Sequence, residues 1–219
     1  GHFIYITGWM LDIEFPLISG DKDSTFKKLI LNATEKKVEI RILIWDSPMP
    51  DYYVMNRQKV LSLHKAPYCA VFLDRYNYTP EKVKDFIRKL KDIILPQLEK
   101  YKHFIFDPKA NFQKWTGIEP DVAWKIAERE MNKPNVAAHH EKLIIVKGNE
   151  GLIATCGGMD INKNRFTYYH DMQCFVHGPA VLEILEKFKK RWNNNHEAKN
   201  IALSEANETD AQLPFGQHF

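Results

Sequence analysis

Alternating apolar and polar stretches divide the first part of the chain into a strand, a helix and a second strand. Residues 3–7 and 38–45 are apolar runs rich in β-branched and aromatic side chains, which predicts two buried strands. Between them, Asp23-Ser24 offers an N-cap for a helix. The apolar residues of that helix recur at helical spacing: Phe26, Leu29, Ile30 and Ala33. This order predicts a right-handed crossover that joins two parallel strands.

Two further apolar runs, residues 143–146 and 152–156, are separated by a short turn that contains glycine and asparagine. Such a pattern predicts an antiparallel hairpin. Both runs are apolar on both faces, so we expect the hairpin to lie inside a sheet that is covered by helices.

Towards the C-terminus, residues 173–176 predict a strand and Gly178-Pro179 predicts the start of a helix. The core-facing stripe of that helix is Val181, Leu185, Phe188 and Trp192. The segment after it, residues 197–219, is polar and acidic over most of its length, which is typical of a linker.

The middle of the chain adds a predicted strand at residues 68–73 and a long helix at residues 80–94, with Pro80 at its first position. Together the elements predict an α/β fold in which a mixed β-sheet is flanked by helices, an α-β-α sandwich. We expect residues 1–196 to form one such lobe. We expect residues 197–219 to be a linker towards a second lobe that this sequence does not contain.

The composition is that of an ordinary globular domain, with 44% hydrophobic and 27% charged residues. A chain of 219 residues suffices for one substantial core but not for two large ones. The formal net charge of +3 is too small to indicate a nucleic-acid or membrane partner by itself. No stretch contains the roughly 20 apolar residues that a membrane-spanning helix needs.

The three cysteines, Cys69, Cys156 and Cys174, all lie in apolar runs. Their odd number and their setting predict buried free thiols in a reducing compartment. A cytoplasmic or peripheral-membrane location is therefore expected. Because the chain opens at Gly1 inside an apolar run, a lost N-terminal signal and secretion also stay open.

His140 and Lys142 stand two residues apart at the start of the predicted hairpin. Side chains two apart in a strand point to the same face, so an imidazole and an ammonium would leave a buried sheet together. That placement costs free energy unless both groups serve a shared ligand such as an anion. For an isolated H-x-K triplet, the simpler interpretation is a hydrogen-bonded His and a Lys that reaches solvent.

Here the triplet is followed by a series of further motif residues. They are Gly157-Gly158, Asp160, His170-Asp171, Gly178-Pro179, Phe188 and Arg191-Trp192. The whole set resembles the phospholipase D superfamily, whose signature is H-x-K-x4-D followed by a Gly-Gly or Gly-Ser turn. The pattern after the triplet is similar to the phospholipase and lipid-synthase branch more than to the small nuclease branch. The resemblance implies a single phospholipase D-like lobe.

The sequence departs from that signature at its acidic position, which falls on Lys147. The connection from there to Gly157-Gly158 is also longer than the usual spacing. Glu150, on the same turn, is a candidate to supply the carboxylate, although a glutamate in a turn is more often simply solvated.

The resemblance also implies roles for individual residues. His140 would attack phosphorus to give a phosphohistidine, and Lys142 would bind non-bridging oxygens and offset the developing charge. Asp160 stands where the family has Asn or Asp in support of the phosphate site, although a turn-stabilising role explains it equally well. His170 and Asp171 match a His-Asp pair of the phospholipase branch and would support the site.

A metal site formed by His139, His140 and His170 is the alternative for the same histidines. Adjacent residues in a strand point to opposite faces, so His139 and His140 are poorly placed to share an ion. We therefore expect chemistry without a metal or another cofactor, because a lysine and a pair of histidines can supply the required charge and protons.

Active sites of the resembled family combine two H-x-K motifs, and this sequence contains one. The partner motif is expected from a second lobe in cis or from a homodimer. The expected substrate is a phospholipid or another phosphodiester, hydrolysed or transferred to a new alcohol, with a membrane surface as a further candidate partner and nucleic acid less favoured. A catalytically inactive lipid-binding lobe and a phospholipase D-type nuclease stay open as alternatives.

Overall fold

The computed structural model describes residues 1–46, 54–74, 139–163, 165 and 170–212. They form a six-stranded mixed sheet with the strand order β3-β2-β1-β4-β5-β6. The strands are β1 (Phe3–Gly8), β2 (Glu39–Trp45), β3 (Cys69–Asp74), β4 (Lys142–Gly148), β5 (Gly151–Gly157) and β6 (Gln173–His177). The α-helices are α1 (Phe26–Glu35), α2 (Ala180–Asn194) and α3 (Glu208–Gln212), with 3-10 helices at Val60–Lys65 and Ala198–Asn200 and a π-helical segment at Val54–Lys59. The predicted α/β class is confirmed.

On one side of β1 the sheet is parallel, as the strand-helix-strand pattern predicts. β1 pairs in parallel with β2, and β2 pairs in parallel with β3. α1 connects β1 to β2 and packs its buried residues against this half of the sheet. The predicted strand-helix-strand order with parallel strands is therefore confirmed.

The boundaries and the buried face of α1 differ from the prediction. Its N-cap is Thr25, whose hydroxyl accepts a hydrogen bond from the backbone N–H of Lys28 at 3.3 Å. Leu29, one of the apolar residues at helical spacing, is 46% exposed and does not belong to the buried face. Residues four apart share one face of a helix, and that face buries Phe26, Ile30 and Thr34.

On the other side of β1 the sheet is antiparallel, and the predicted hairpin is confirmed. β4 and β5 pair from Gly148 and Gly151 at the turn to Lys142 and Gly157 at the open end. β4 also pairs with β1, and β5 with β6. Gly151 has a φ of 112°, a conformation that side chains disfavour, which explains a glycine at this end of the turn. The hairpin thus lies inside the sheet.

Helices cover both faces of the sheet, which gives three layers. On one face α2 buries the predicted stripe of Val181, Leu185, Phe188 and Trp192. This stripe belongs to one core cluster with Phe3, Tyr5, Leu143 and Ile145 of the strands. On the opposite face, Phe26 and Ile30 of α1 pack with Ile40, Ile42 and Ile44 of β2. The sheet therefore separates two apolar cores.

Residues 197–212, predicted as part of a linker, pack on the lobe. Their hydrogen bonds to it include Trp192 Nε1 to the Ile201 carbonyl (2.9 Å), Arg41 Nη2 to the Ala202 carbonyl (3.2 Å) and the Ser204 N–H to the Tyr5 hydroxyl (2.8 Å). Ala198 and Ala211 are buried. This segment is therefore an ordered part of the lobe as far as Gln212, and a linker to a second lobe stays a prediction.

The cysteines are less uniform than the sequence predicts. Cys69 is buried, Cys156 is half-buried and Cys174 is exposed. Cys174 is exposed because it lies in β6, the edge strand of the sheet. The predicted helix at residues 80–94 lies outside the described residues. In the part of the chain that the structure describes, none of the helices combines the length and the hydropathy of a transmembrane segment.

Candidate functional site

A buried ion pair lies where the end of β1 meets the start of β4. Because β4 runs antiparallel to β1, its first residue, Lys142, is placed next to the turn that follows Gly8. Lys142 Nζ is 3.6 Å from Asp160 Oδ2, and the two residues are each only 3% exposed. Apolar residues in place of such a buried pair are often neutral for stability, so the pair indicates a functional site more than a structural need.

The end of β1 also holds the carboxylate of Asp160 in place. Asp160 Oδ1 accepts hydrogen bonds from the backbone N–H groups of Trp9 at 2.9 Å and Met10 at 3.2 Å. A Cβ atom at Gly8 would lie 3.3 Å from this same oxygen and 3.3 Å from Ile44 Cδ1. The missing side chain at Gly8 therefore leaves room for Asp160 to reach the backbone.

One indole ring joins His140 to Lys142. The imidazole of His140 meets the Trp9 ring edge-on, with 4.8 Å between ring centroids. Lys142 Nζ lies 5.4 Å from the centroid of the same ring, within the range of a cation–π contact. Trp9 in turn stacks on Trp45 at 4.9 Å. His140 is itself exposed, so this arrangement presents an imidazole to solvent beside a buried cation.

The protonation of the three groups follows from this environment. His140 is exposed as a residue, but partial burial of its imidazole lowers its pKa, and the charge of Lys142 lowers it further, so the neutral imidazole is favoured. Burial also lowers the pKa of Lys142 and raises that of Asp160. Their mutual attraction opposes both of these shifts and favours the charged pair.

Asp171 and Arg165 form a second ion pair near His140. Arg165 Nη1 lies 3.0 Å from Asp171 Oδ2. Both charges act on the pKa of His140: Arg165 lowers it and Asp171 raises it. His170, the neighbour of Asp171, is exposed. The structure thus brings Asp171 near the predicted nucleophile, together with an arginine that the sequence pattern did not single out.

The Gly-Gly turn after β5 owes its composition to the close approach of residues 171–173. A Cβ at Gly157 would lie 2.2 Å from the carbonyl oxygen of Met172. A Cβ at Gly158 would lie 2.4 Å from Asp171 Oδ1. A side chain at Gly157 would displace the backbone of residues 172–173, and one at Gly158 would displace the carboxylate of Asp171. These glycines therefore allow Asp171 to lie against the turn that leads to Asp160.

Glu150 is not part of this group. It is exposed in the turn between β4 and β5, at the opposite end of the hairpin from Lys142. Lys147, at the acidic position of the signature, lies near the same far end. Its ammonium pairs with Asp210 of α3, 2.7 Å away. We therefore leave Glu150 out of the proposed site.

His139 faces a different cluster from His140. Its Nδ1 lies 3.0 Å from Asp74 Oδ2, at the end of β3. Arg191 of α2 donates to the same oxygen through Nε at 2.7 Å, and to Glu141 Oε2 through Nη1 at 2.9 Å. Asp74 thus connects β3 and α2 to the residue before His140.

The proposed metal site of three histidines has no counterpart in the described part of the chain. His139 is directed to Asp74 and His140 to Trp9. Within those ranges, no group of three His, Cys, Asp or Glu side chains is placed to share a metal ion. Chemistry without a metal stays a prediction.

Trp9 and Arg165 are the site residues that sequence reasoning missed. The available signal for Trp9 was its position directly after a buried strand that ends in Gly8. Nothing in the sequence showed that β1 lies beside β4, which is what brings the ring to His140. For Arg165 we find no signal in the sequence pattern.

No family model matches the chain. Two similar curated proteins come from Arabidopsis thaliana. Phospholipase D delta is 21% identical over 92% of this chain and 26% of its own length, and phospholipase D alpha 3 is 18% identical over 97% and 27%. The chain is thus weakly similar, over most of its length, to these plant phospholipases D. It spans about a quarter of the length of these relatives.

Proposed function

We propose that this lobe carries half of a phospholipase D-type active site, which cleaves phospholipid phosphodiesters through a phosphohistidine at His140. The observation that supports this most is the exposed imidazole of His140 beside the buried Lys142–Asp160 pair, with Trp9 between them. A neutral imidazole can attack phosphorus while a fixed cation stabilises the negative charge that develops. Distant similarity to phospholipase D supports the same reaction class.

In the proposed first step, a ring nitrogen of His140 bonds to phosphorus as the bond from phosphorus to the leaving alcohol breaks. The lowered pKa of His140 favours the unprotonated nitrogen that this attack needs. Water then attacks the phosphohistidine to give hydrolysis, or another alcohol attacks it to give head-group exchange. The imidazole leaves in this second step and is ready for another cycle.

Lys142 supplies a fixed positive charge next to the nucleophile, and Asp160 sets its position. Because Asp160 is itself held by two backbone N–H groups, the ammonium has little freedom to move away. Such preorganised charge stabilises a transition state without rearrangement during the reaction. Asp171 and Arg165 support the segment beside His140.

The leaving alcohol also needs a proton donor. We propose that it comes from a second H-x-K motif, located in a further lobe of a longer protein or in a second copy of this chain. Lys147 does not argue for an inactive lobe, because its ion pair with Asp210 lies at the far end of β4 from His140.

Turnover by the purified chain at rising concentration tests this proposal. Phosphatidylcholine vesicles and a single-stranded oligonucleotide are offered separately, and the release of choline or of nucleotides is measured. We expect choline release that rises with the square of chain concentration if two copies form the site. If the other half lies in a further lobe, we expect no turnover until that lobe is supplied.

His140→Asn should abolish the choline release, whereas His196→Asn, which replaces an exposed histidine beyond α2, should not change it. A rate of choline release that rises linearly with the concentration of a chain that stays monomeric would contradict the proposal that one chain carries only half of the active site. Cleavage of the oligonucleotide but not of the vesicles would favour a phospholipase D-type nuclease instead.

A further inference from the structure

Two cysteines face each other across the edge of the sheet. Cys156 of β5 and Cys174 of β6 are direct partners in the antiparallel register. In the same ladder the backbone N–H of Gly158 donates to the carbonyl of Met172 at 2.9 Å. The cysteine pair lies two residues further along and is therefore of the same hydrogen-bonded type.

The Cα spacing expected for this pair lies within the range of a disulfide. Opposed residues of a hydrogen-bonded antiparallel pair have Cα atoms about 5.5 Å apart, and disulfides most often join Cα atoms at about 5.5–6 Å. Side chains of directly opposed residues also lie on the same face of the sheet. The two sulfurs are therefore on the same side. Opposed Cβ atoms of a hydrogen-bonded pair lie near the upper end of about 4.5–5.5 Å, whereas a relaxed disulfide needs about 3.5–4.5 Å, so β5 and β6 must draw slightly together and the bond is strained and readily reduced.

The two thiols also differ from Cys69 in access to solvent. Cys174 is exposed on the edge strand, and Cys156 is half-buried at the border of the core cluster that α2 covers. Cys69 is buried in β3, and burial raises the pKa of its thiol to about 12. Because the thiolate is the reactive form, Cys69 should be inert under conditions where Cys174 reacts. The chain thus contains its own unreactive reference cysteine.

We propose that Cys156 and Cys174 are a site of reversible oxidation, which closes a disulfide between β5 and β6 in exchange with a low-molecular-weight disulfide. The Cys174 thiolate attacks one sulfur of the small disulfide, which forms a mixed disulfide and releases one thiolate. The Cys156 thiolate then attacks the sulfur of Cys174 and releases the second. Two protein thiols are oxidised, the small disulfide is reduced to two thiols, and the two protein protons pass to them.

The disulfide would join β5, which leads into the Gly-Gly turn, to β6, which follows Asp171. β5 ends at Gly157, whose partner in β4 is Lys142, and β6 begins two residues after Asp171. Oxidation therefore fixes the edge strand to the part of the sheet that holds Lys142. The oxidation of this pair does not require that the lobe be catalytically active.

The test is incubation of the folded chain with oxidised glutathione, followed by alkylation of free thiols in denaturant and peptide mapping. We expect an intact mass that is lower by the two thiol hydrogens, one alkylated residue at Cys69, and a linked peptide pair that contains Cys156 and Cys174. Dithiothreitol should restore all three alkylated cysteines. In the oxidised protein, the amides of β6 should exchange hydrogen more slowly.

The matched variants separate this bond from other oxidation products. Cys69→Ser should behave as the parent chain does, and Cys156→Ser should stop at a glutathione adduct on Cys174. Cys174→Ser should form no intramolecular disulfide. A parent chain that keeps a stable glutathione adduct on Cys174, links Cys69, or forms only disulfides between chains would overturn the proposal. Because the mapping of the parent chain is decisive alone, a variant that fails to fold does not prevent the test.

Discussion

At the scale of single residues, Lys142 and Asp160 depend on each other because neither charge has access to water. Asp160→Asn leaves a buried ammonium without its counter-charge, and we expect the free energy of unfolding to fall by about 3–5 kcal/mol. Lys142→Met should lower the free energy of unfolding by a similar amount, because it leaves the carboxylate of Asp160 buried without its counter-charge. The double variant removes both charges and should recover most of the loss. Urea unfolding of the four proteins at pH 7 measures the coupling. Additive losses would show that the two side chains do not form a pair.

His140 should titrate at lower pH than an ordinary histidine. Burial, followed by the charge of Lys142, lowers its pKa, so the midpoint of its ring signals in an NMR titration should fall below about 6.5. Attack by His140 needs the neutral ring, so phosphohistidine formation should increase as pH rises through this midpoint and then level off. Lys142→Met should shift the midpoint upward. A midpoint above the ordinary value would contradict the described environment.

The same lowered pKa makes stability depend on pH with a definite sign. As pH falls through the ordinary histidine range, the unfolded chain binds a proton at this residue before the folded chain does. His140 therefore destabilises the folded state as pH falls from the unfolded-state pKa towards the folded-state pKa. Above the unfolded-state pKa it has no such effect.

At the scale of elements, Asp74 connects the end of β3, α2 and the residue before His140. It and the side chain of Arg191 are both nearly buried, with 7% and 8% exposure. We expect Asp74→Asn to lower the free energy of unfolding by about 3 kcal/mol, because it leaves the guanidinium of Arg191 without its buried partner. Phosphorylation of His140 by an activated diester should also slow, because His139 loses its anchor.

Asp23 provides the matched control for this variant. It pairs with Lys28 at 2.9 Å, but both side chains are more than half exposed. Asp23→Asn should therefore change the free energy of unfolding by less than about 1 kcal/mol in the same urea experiment. Equal effects of the two variants would show that the Asp74 cluster is not buried in solution.

Elements with a regular apolar pattern were predictable, and contacts between distant polar groups were not. The stripe of α2 and the hairpin of β4 and β5 follow from periodicity, because burial of one face requires it. The exposure of Leu29 was not predictable, because spacing alone does not say which of two neighbouring helix faces meets the sheet. The packing of residues 197–212 depends on single hydrogen bonds, such as that from Trp192 to Ile201, which leave no periodic trace.

The site was predictable only in part, for the same reason. The H-x-K spacing predicted that His140 and Lys142 share one face of a strand, but β4 begins at Lys142, so His140 lies outside the strand. The backbone N–H of Trp9, which holds Asp160, lies 151 residues away from it in the chain. Such a contact follows from the strand order, in which β1 lies between β2 and β4. Strand order is set by the packing of the whole sheet and not by any local motif.

At the scale of the whole molecule, the proposed site lies at one end of the β4–β5 hairpin. Lys147, which replaces the acid of the phospholipase D-like signature, lies near the other end. Lys142 and Gly157 pair at the open end of the hairpin, whereas Gly148 and Gly151 pair at its turn. The ion pair of Lys147 with Asp210 fixes α3 near that turn, so it supports the fold and does not touch His140. The replaced acid is therefore compatible with an active lobe.

The central claim is that His140 is the nucleophile, and covalent labelling of the chain by an activated phosphodiester tests it most directly. A suitable compound is the phosphodiester that joins p-nitrophenol to choline. A good leaving group needs little protonation, so the first step can proceed without the other half of the site. We predict a burst of p-nitrophenol of at most one equivalent per chain and an acid-labile phosphoryl adduct, mapped by mass spectrometry to His140. His140→Asn should abolish both, and His196→Asn should abolish neither. A burst without an adduct on His140, or an equal burst from His140→Asn, would contradict the proposed nucleophile.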